Sequence, residues 1–372
     1  MDSEEKDPRL IAFEVTRRCR FACRYCRAGP AVAADTELTT DQCKKILKAV
    51  AEYSKCTIIL TGGEPMERND IYDLIEYGTS LALPMVMATC GYLITEDSVQ
   101  RLKAAGIRMV SLSIEGASAE SHNRFRQTPG AFEAAIEATK IANKAALPFQ
   151  INTTITKANA DEAVAIAELA RRLGAETFNP FIYVPTAANT HSEEAVLDPI
   201  EYEVLLNELL EIKLESHIKI RVTCAPAFAR LCAEKRLDRL NDDVGGCMAG
   251  RGFGFISHIG DVQACSFLDV SAGNIIQNGY DFAAIWRESQ LLNDIRDSSQ
   301  YTGDCGDCEH VGICGGCRAR AFATSGNYLH EDPLCRHRKK TEDAVLPEPN
   351  KPAISALNAG FANPLDAIPV WQ

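Results

Sequence analysis

TRRCRFACRYCR, residues 16–27, sets Cys19, Cys23 and Cys26 in the spacing C-x3-C-x2-C directly after the apolar run LIAFEV at 10–15. Three thiolates so close together suit a [4Fe–4S] cube, which takes one thiolate per iron. Only three are supplied, so one iron is left open to bind something else. A zinc knot is the alternative, since zinc also takes thiolates. Zinc would want a fourth ligand nearby, and after Cys26 no His or Cys follows until Cys43. Ligand count and spacing favour the cluster.

The rest of the chain is consistent with a large enzyme built around that loop. At 372 residues it suits one large barrel plus an appendage. Hydrophobic content of 46% and charged content of 24% are ordinary for a protein with a sizeable core. No apolar run reaches about 18 residues, so no membrane span is expected. The acidic start, MDSEEKDPRL, is neither a secretory signal nor a transit peptide. Fifteen cysteines without a signal imply metal ligation in a reducing compartment, hence a cytoplasmic location. A net charge of −12 argues against nucleic-acid binding.

Outward from the cysteine loop, apolar strand-like runs alternate with helical patterns. Strands are expected at 10–15, 57–60, 85–89, 107–114, 149–156 and 177–184. Helices are expected at 40–53, 69–82, 96–105, 131–145 and 160–172. Such alternation calls for a parallel sheet with right-handed crossovers. Six units give an α/β fold, a partial (β/α)6 TIM-like barrel, with its active face at the strand C-termini. Residues 185–200 read as a boundary loop, followed by a helix at 200–216, a strand near 218–223 and a basic helix at 225–239. The expected division is a lead at 1–9, the barrel with its linker helix at 10–223, a cysteine-rich domain at 224–340 and an extended or partly disordered tail at 341–372.

Two further patterns carry chemistry. Gly62-Gly63-Glu64-Pro65 follows the second strand, where glycines admit close approach and a carboxylate or carbonyl can take an ammonium proton. A plain turn is the bland reading. A second cysteine field reads Cys247-x17-Cys265, Cys305-x2-Cys308-x5-Cys314-x2-Cys317 and x17-Cys335. Structural zinc is the alternative there. Cys43 and Cys56 read as core thiols, and Cys90 as a buried thiol or a substrate-side feature.

The cysteine triad, Tyr25 before its last cysteine and GGEP together resemble the radical S-adenosylmethionine (SAM) enzymes. In that family SAM chelates the open iron, and its reductive cleavage gives a 5′-deoxyadenosyl radical that removes a hydrogen atom. The resemblance implies SAM contacts at Tyr25, Gly62, Gly63, Glu64, Pro65, Ser113, Asn152 and Arg126. Arg126 could instead meet a substrate carboxylate or be a solvated surface arginine. Ser113 could be a strand-end cap, and Asn152 could satisfy neighbouring backbone. Glu115 stands where the family usually has aspartate.

The second field resembles the family's SPASM extension, which carries up to two auxiliary [4Fe–4S] clusters. Its pattern implies one cluster on Cys305, Cys308, Cys314 and Cys335, and three corners of another on Cys247, Cys265 and Cys317. The fourth corner is open, or Cys224 or Cys232. PRLIAFEVTRRC, IILTGGEP, FQINTTITKAN, TCAP at 223–226, GFGFISHIGDVQACSFL and CGGCRARAFATSGNYLHEDPLC at 314–335 resemble the radical SAM enzymes of alternative haem biosynthesis. This likeness runs over residues 9–338. It implies oxidative decarboxylation of two propionates of Fe-coproporphyrin III to vinyl groups, giving haem b, with ferredoxin or flavodoxin as electron donor. Arg126, Arg230 and the arginines beside the auxiliary cysteines, Arg318 and Arg320, are the expected carboxylate anchors, and His258 is placed near a cluster or substrate or simply packed in its hairpin. Enzymes of the haem d1 and sirohaem branches share these phrases. A SPASM peptide maturase is the rival, though the winged-helix domain usual there is not expected with nine residues before the first strand. An iron–sulfur electron carrier is the non-enzymatic rival, and GGEP argues against it.

Overall fold

The computed structural model describes residues 7–29, 37–188, 192–215, 218–237 and 245–337. The expected tail, most of the lead and residues 338–340 lie outside the described residues.

Six strands run in sequence order: β1 (Leu10–Thr16), β2 (Thr57–Gly62), β3 (Met85–Thr89), β4 (Ile107–Ser113), β5 (Phe149–Ile155) and β6 (Thr177–Ile182). Each is parallel to the next, which is the order that right-handed crossovers produce. The expected α/β partial barrel is therefore present. A short β7 (Lys219–Ile220) extends the sheet beyond β6, and Thr223 bridges to Phe181.

The other edge was not foreseen. β8 (Phe253–Ile256), from the cysteine-rich half, pairs parallel to β1, and β9 (Asp261–Gln263) and β10 (Ser271–Asn274) follow antiparallel. Along β1 every residue after Leu10 is buried, the pattern of a strand covered on both faces. One core consequently runs from Ile11 and Phe13 through Ile151 to Val262, Leu268 and Trp286.

Local signals set the helix ends. Thr39 and Gln42 form a reciprocal capping box on the helix Thr40–Tyr53. The sequence reading missed the helix Ala119–Arg126, whose apolar stripe is thin. Its signal is Ser118, which caps Ser121 N–H. The helix Ala227–Glu234 stops short of the expected residue 239. Among the described residues no helix is long and apolar enough to cross a membrane.

Candidate active site and auxiliary cysteine sites

The cysteine loop leaves β1 and is pinned at once to the loop after β2. Gly63 N–H donates to the Thr16 carbonyl at 2.8 Å and Glu64 N–H to the Arg18 carbonyl at 2.7 Å. A Cβ on Gly62 would lie 2.1 Å from the Thr16 oxygen, and one on Gly63 would lie 2.2 Å from the Arg18 oxygen. The close approach these glycines permit is that of the cysteine loop itself. Glu64 turns inward and is fully buried. Its carboxylate accepts from the Thr89 hydroxyl at 2.8 and 2.9 Å, Cys90 N–H at 2.7 Å and Met66 N–H at 3.1 Å. Burial raises its pKa against those donors. Glu64 thus ties the end of β2 to the end of β3.

Arg126, at the end of the missed helix, reaches the same place. Its Nη1 lies 3.3 Å from Cys23 Sγ and 3.7 Å from Cys90 Sγ, and its Nη2 donates to Glu115 Oε1 at 2.8 Å. At 8% exposure it is not a solvated surface arginine, and the carboxylate it meets is Glu115. Glu115 in turn accepts from Thr154 N–H at 2.6 Å. His122 Nδ1 accepts from Glu115 N–H at 3.0 Å, and burial pushes the imidazole down to about 3, so it is neutral. A hydrogen bond with Cys90 holds the Cys19 thiol down at about 7 in spite of burial. Burial raises Cys23, with Arg126 opposing. Arg126 Nε is buried without a partner. A guanidinium on a cysteine sulfur with one donor left over is built for more negative charge than Glu115 supplies, which fits a thiolate-held cluster at this loop.

Tyr25 packs edge-on against Phe125 at 5.2 Å and Tyr183 at 5.7 Å, seating the loop on the missed helix and the end of β6. Ser113 lies opposite Asn152 in register. Asn152 Oδ1 accepts from Gln150 at 2.9 Å and Asn179 at 3.3 Å, and Asn179 Oδ1 accepts from the Thr223 hydroxyl at 2.7 Å. These amides form a polar row across β5 and β6.

A second network escaped the sequence reading. Glu14, on β1, meets Arg27 Nη2 at 2.5 Å and His258 Nδ1 at 2.8 Å. Arg27 also reaches the Ser266 carbonyl at 3.4 Å, beside Cys265. The cysteine loop is thereby fastened to the β8–β9 hairpin, and His258 serves that joint. Burial alone would raise the Glu14 carboxyl, but His258 and Arg27 outweigh it and hold it at about 2. Its folded pKa lies below the unfolded one, so its stabilisation is present above about pH 4.5 and lost as pH falls toward about 2. We expect Glu14→Gln to cost on the order of 3 kcal/mol at pH 7. In urea titrations the gap from wild type should narrow below pH 4.5, and a gap constant with pH would refute this.

The second cysteine field divides into two groups. Cys305, Cys308, Cys314 and Cys335 line one cavity together with Arg230, Asp304 and Asp332. Backbone N–H groups point at three of these sulfurs or lie close by: His310 to Cys308 at 3.4 Å, Gly316 to Cys314 at 3.4 Å and Asp332 to Cys305 at 3.5 Å. Four thiols around a cavity with amide donors on the sulfurs fit a cuboidal cluster. Cys247, Cys265 and Cys317 form the other group, each within electrostatic reach of the others. Cys224 is half-buried beside the same three. Its backbone is left-handed, with φ of 59°, and its carbonyl accepts from Arg320 Nη2 at 3.1 Å. Cys232 faces Lys213 and Lys235 instead. Cys43 and Cys56 are core thiols, pushed up to about 12 by burial.

The expected carboxylate anchors are occupied. Arg230 is held by Glu203 at 2.6 and 2.8 Å and by Glu234 at 2.8 Å. Arg318 donates to the Tyr328 and His330 carbonyls at 3.0 and 2.6 Å. Arg320 pairs with Asp332 at 2.8 and 3.1 Å. All three are buried, so they brace the auxiliary region rather than await a ligand.

Comparison with known proteins agrees with this geometry. The radical SAM superfamily profile matches residues 13–170, and an iron–sulfur cluster-binding SPASM profile matches residues 247–309. The AdoMet-dependent heme synthase of Methanosarcina barkeri is 40% identical over 89% of this chain and 97% of its own length. The mycofactocin maturase MftC of Mycobacterium tuberculosis is 31% identical over 88% of this chain and 83% of its own. Streptococcus suis SuiB bound to S-adenosylmethionine superposes with a TM-score of 0.70 at 18% identity, over 88% of this chain and 77% of that one.

Proposed function

We propose, from the premise that this chain belongs to the radical SAM superfamily and carries its SPASM iron–sulfur domain, that it decarboxylates two propionates of Fe-coproporphyrin III to give haem b. The chain is a radical SAM enzyme, and the observation that carries the substrate is its near full-length likeness to the heme synthase. Cys19, Cys23 and Cys26 would hold the catalytic cluster. Cys305, Cys308, Cys314 and Cys335 would hold one auxiliary cluster, and Cys224, Cys247, Cys265 and Cys317 the other, with Cys224 as the fourth corner. When bound, SAM and these clusters supply a hydrogen-abstracting radical and an acceptor for one electron. Each propionate would lose one hydrogen atom from its β-carbon and one electron, its carboxylate leaving as CO2 and a vinyl group remaining.

The protein's own part is to position and to shield. Arg126 places positive charge on the cysteine loop, and Glu64 fixes the loop against β3. Of the five arginines in the loop, Arg17, Arg18, Arg24 and Arg27 each have a carboxylate partner. Arg20 has none among the described residues and stacks on Tyr92 at 3.7 Å. It is the loop's cation available to a propionate. Anaerobic, cluster-loaded enzyme with SAM, a low-potential reductant such as reduced flavodoxin and Fe-coproporphyrin III should release two CO2 per haem b, consuming two SAM. SAM cleavage with the porphyrin unchanged would defeat this substrate and leave the family assignment standing.

A further inference from the structure

We propose that Glu234, His310 and His337 form a binding site for a divalent transition-metal cation of the zinc class, beside the cavity of Cys305, Cys308, Cys314 and Cys335, which His310 helps to line. Glu234 Oε1 lies 3.0 Å from His337 Nδ1 and 3.7 Å from His310 Nε2. The three ligand atoms lie within 4.8 Å of one another. Ligands about 2.0–2.2 Å from a tetrahedral ion are separated by roughly 3.3–3.6 Å, so small movements would close the site. Imidazole with carboxylate selects the zinc class over magnesium or calcium.

The surrounding contacts are those a metal site needs. His337 Nε2 lies 3.1 Å from Glu309 Oε1, which would orient the ring and fix its tautomer. Glu234 Oε2 is held by Arg230 Nη1 at 2.8 Å, and Arg230 is braced by Glu203. His337 therefore has a carboxylate oxygen beside each ring nitrogen, Glu234 at Nδ1 and Glu309 at Nε2. A cation shared by Nδ1 and the Glu234 carboxylate would keep Nε2–H on Glu309, the orienting contact usual for a metal-bound histidine. The side chains of His310 and His337 are 19% and 14% exposed and that of Glu234 33%, so solvent can reach the fourth position.

The site adjoins the cysteine cavity through its own backbone. His310 N–H donates to Cys308 Sγ, and the His337 backbone hydrogen-bonds Cys335. A cation there adds positive charge beside the cluster those thiols would hold and raises its reduction potential. None of this depends on the substrate proposed above.

Cluster-loaded enzyme, stripped anaerobically over chelating resin and dialysed against Zn2+, should bind one zinc per chain beyond its iron. Glu234→Gln and His337→Gln should each weaken that binding at least tenfold with iron and sulfide unchanged. If either loses iron, Glu309→Gln decides, since it leaves the three ligands in place, removes the carboxylate that lies 3.1 Å from His337 Nε2 and 3.7 Å from His310 Nε2, and should weaken zinc severalfold at full iron content. In an EPR-monitored redox titration, zinc should raise the potential of one cluster signal in wild type and of none in Glu234→Gln. No zinc uptake would reduce the group to an ion-pair clasp, and equal uptake by wild type and the deciding variants would mark adventitious binding; either overturns the proposal. Zinc bound with every potential unmoved overturns the coupling.

Discussion

Replacing Cys19, Cys23 and Cys26 together with alanine should remove about four of about twelve irons per chain and abolish reductive SAM cleavage. The two auxiliary groups supply eight thiols elsewhere, so their iron should remain. The fold should persist as well. The three cysteines lie on a half-exposed loop outside the core, while Gly63 N–H and Glu64 N–H hold that loop by backbone bonds the substitution leaves intact. The same assay reads the fourth corner of the second auxiliary group. Cys224→Ala should lower iron or convert that cluster to a labile form, and Cys232→Ala should leave the count unchanged, because Cys232 lies beside Lys213 and Lys235 whereas Cys224 lies beside Cys247, Cys265 and Cys317. Iron content unaffected by the triple alanine would show that the loop holds no cluster, and with it the proposed chemistry would fall.

What the sequence made legible was periodic or covalent in character. Apolar runs of fixed spacing located β1 to β6 to within two residues, and cysteine spacing marked out the groups because ligand geometry leaves a short repeat in the chain. Contacts between distant polar residues leave no such repeat. Glu14 and His258 are 244 residues apart, and nothing in either neighbourhood announces the other. Arg126 stands out in the sequence, but a polar face hides the helix that carries it, and nothing local pairs it with Glu115, which stands where the family usually has aspartate. The pairing of β8 to β1 was detectable in principle, since a strand buried on both faces needs a neighbour on each side. Arg230, Arg318 and Arg320 show the general reason that a site stays hidden: sequence displays a cation but not whether burial has already given it a partner.

Asp332→Ala should be the most damaging single substitution outside the cysteines. Asp332 is 2% exposed and joins both auxiliary groups. Its Oδ2 accepts from Cys317 N–H at 2.8 Å, its own N–H lies 3.5 Å from Cys305 Sγ, and its carboxylate pairs with Arg320. Arg320 donates in turn to the Cys224 carbonyl. Arg320 outweighs the burial that would raise the Asp332 carboxyl and holds it below its usual range, so both groups are charged at pH 7. Removing one partner strands a buried guanidinium, which costs about 3–5 kcal/mol. It also frees the Cys317 amide and the Cys224 carbonyl from their fixed places, so iron from both auxiliary groups should fall while the Cys19 loop keeps its own. Urea unfolding and iron content measure the two effects. The double variant Asp332→Leu with Arg320→Met should recover much of the stability, because an apolar pair carries no stranded charge. It should not recover the iron, because the hydrogen bonds that place Cys317 and Cys224 are still missing. If the double variant regained full iron, the pair would be a filler of space and the thiols would be placed by the surrounding backbone alone.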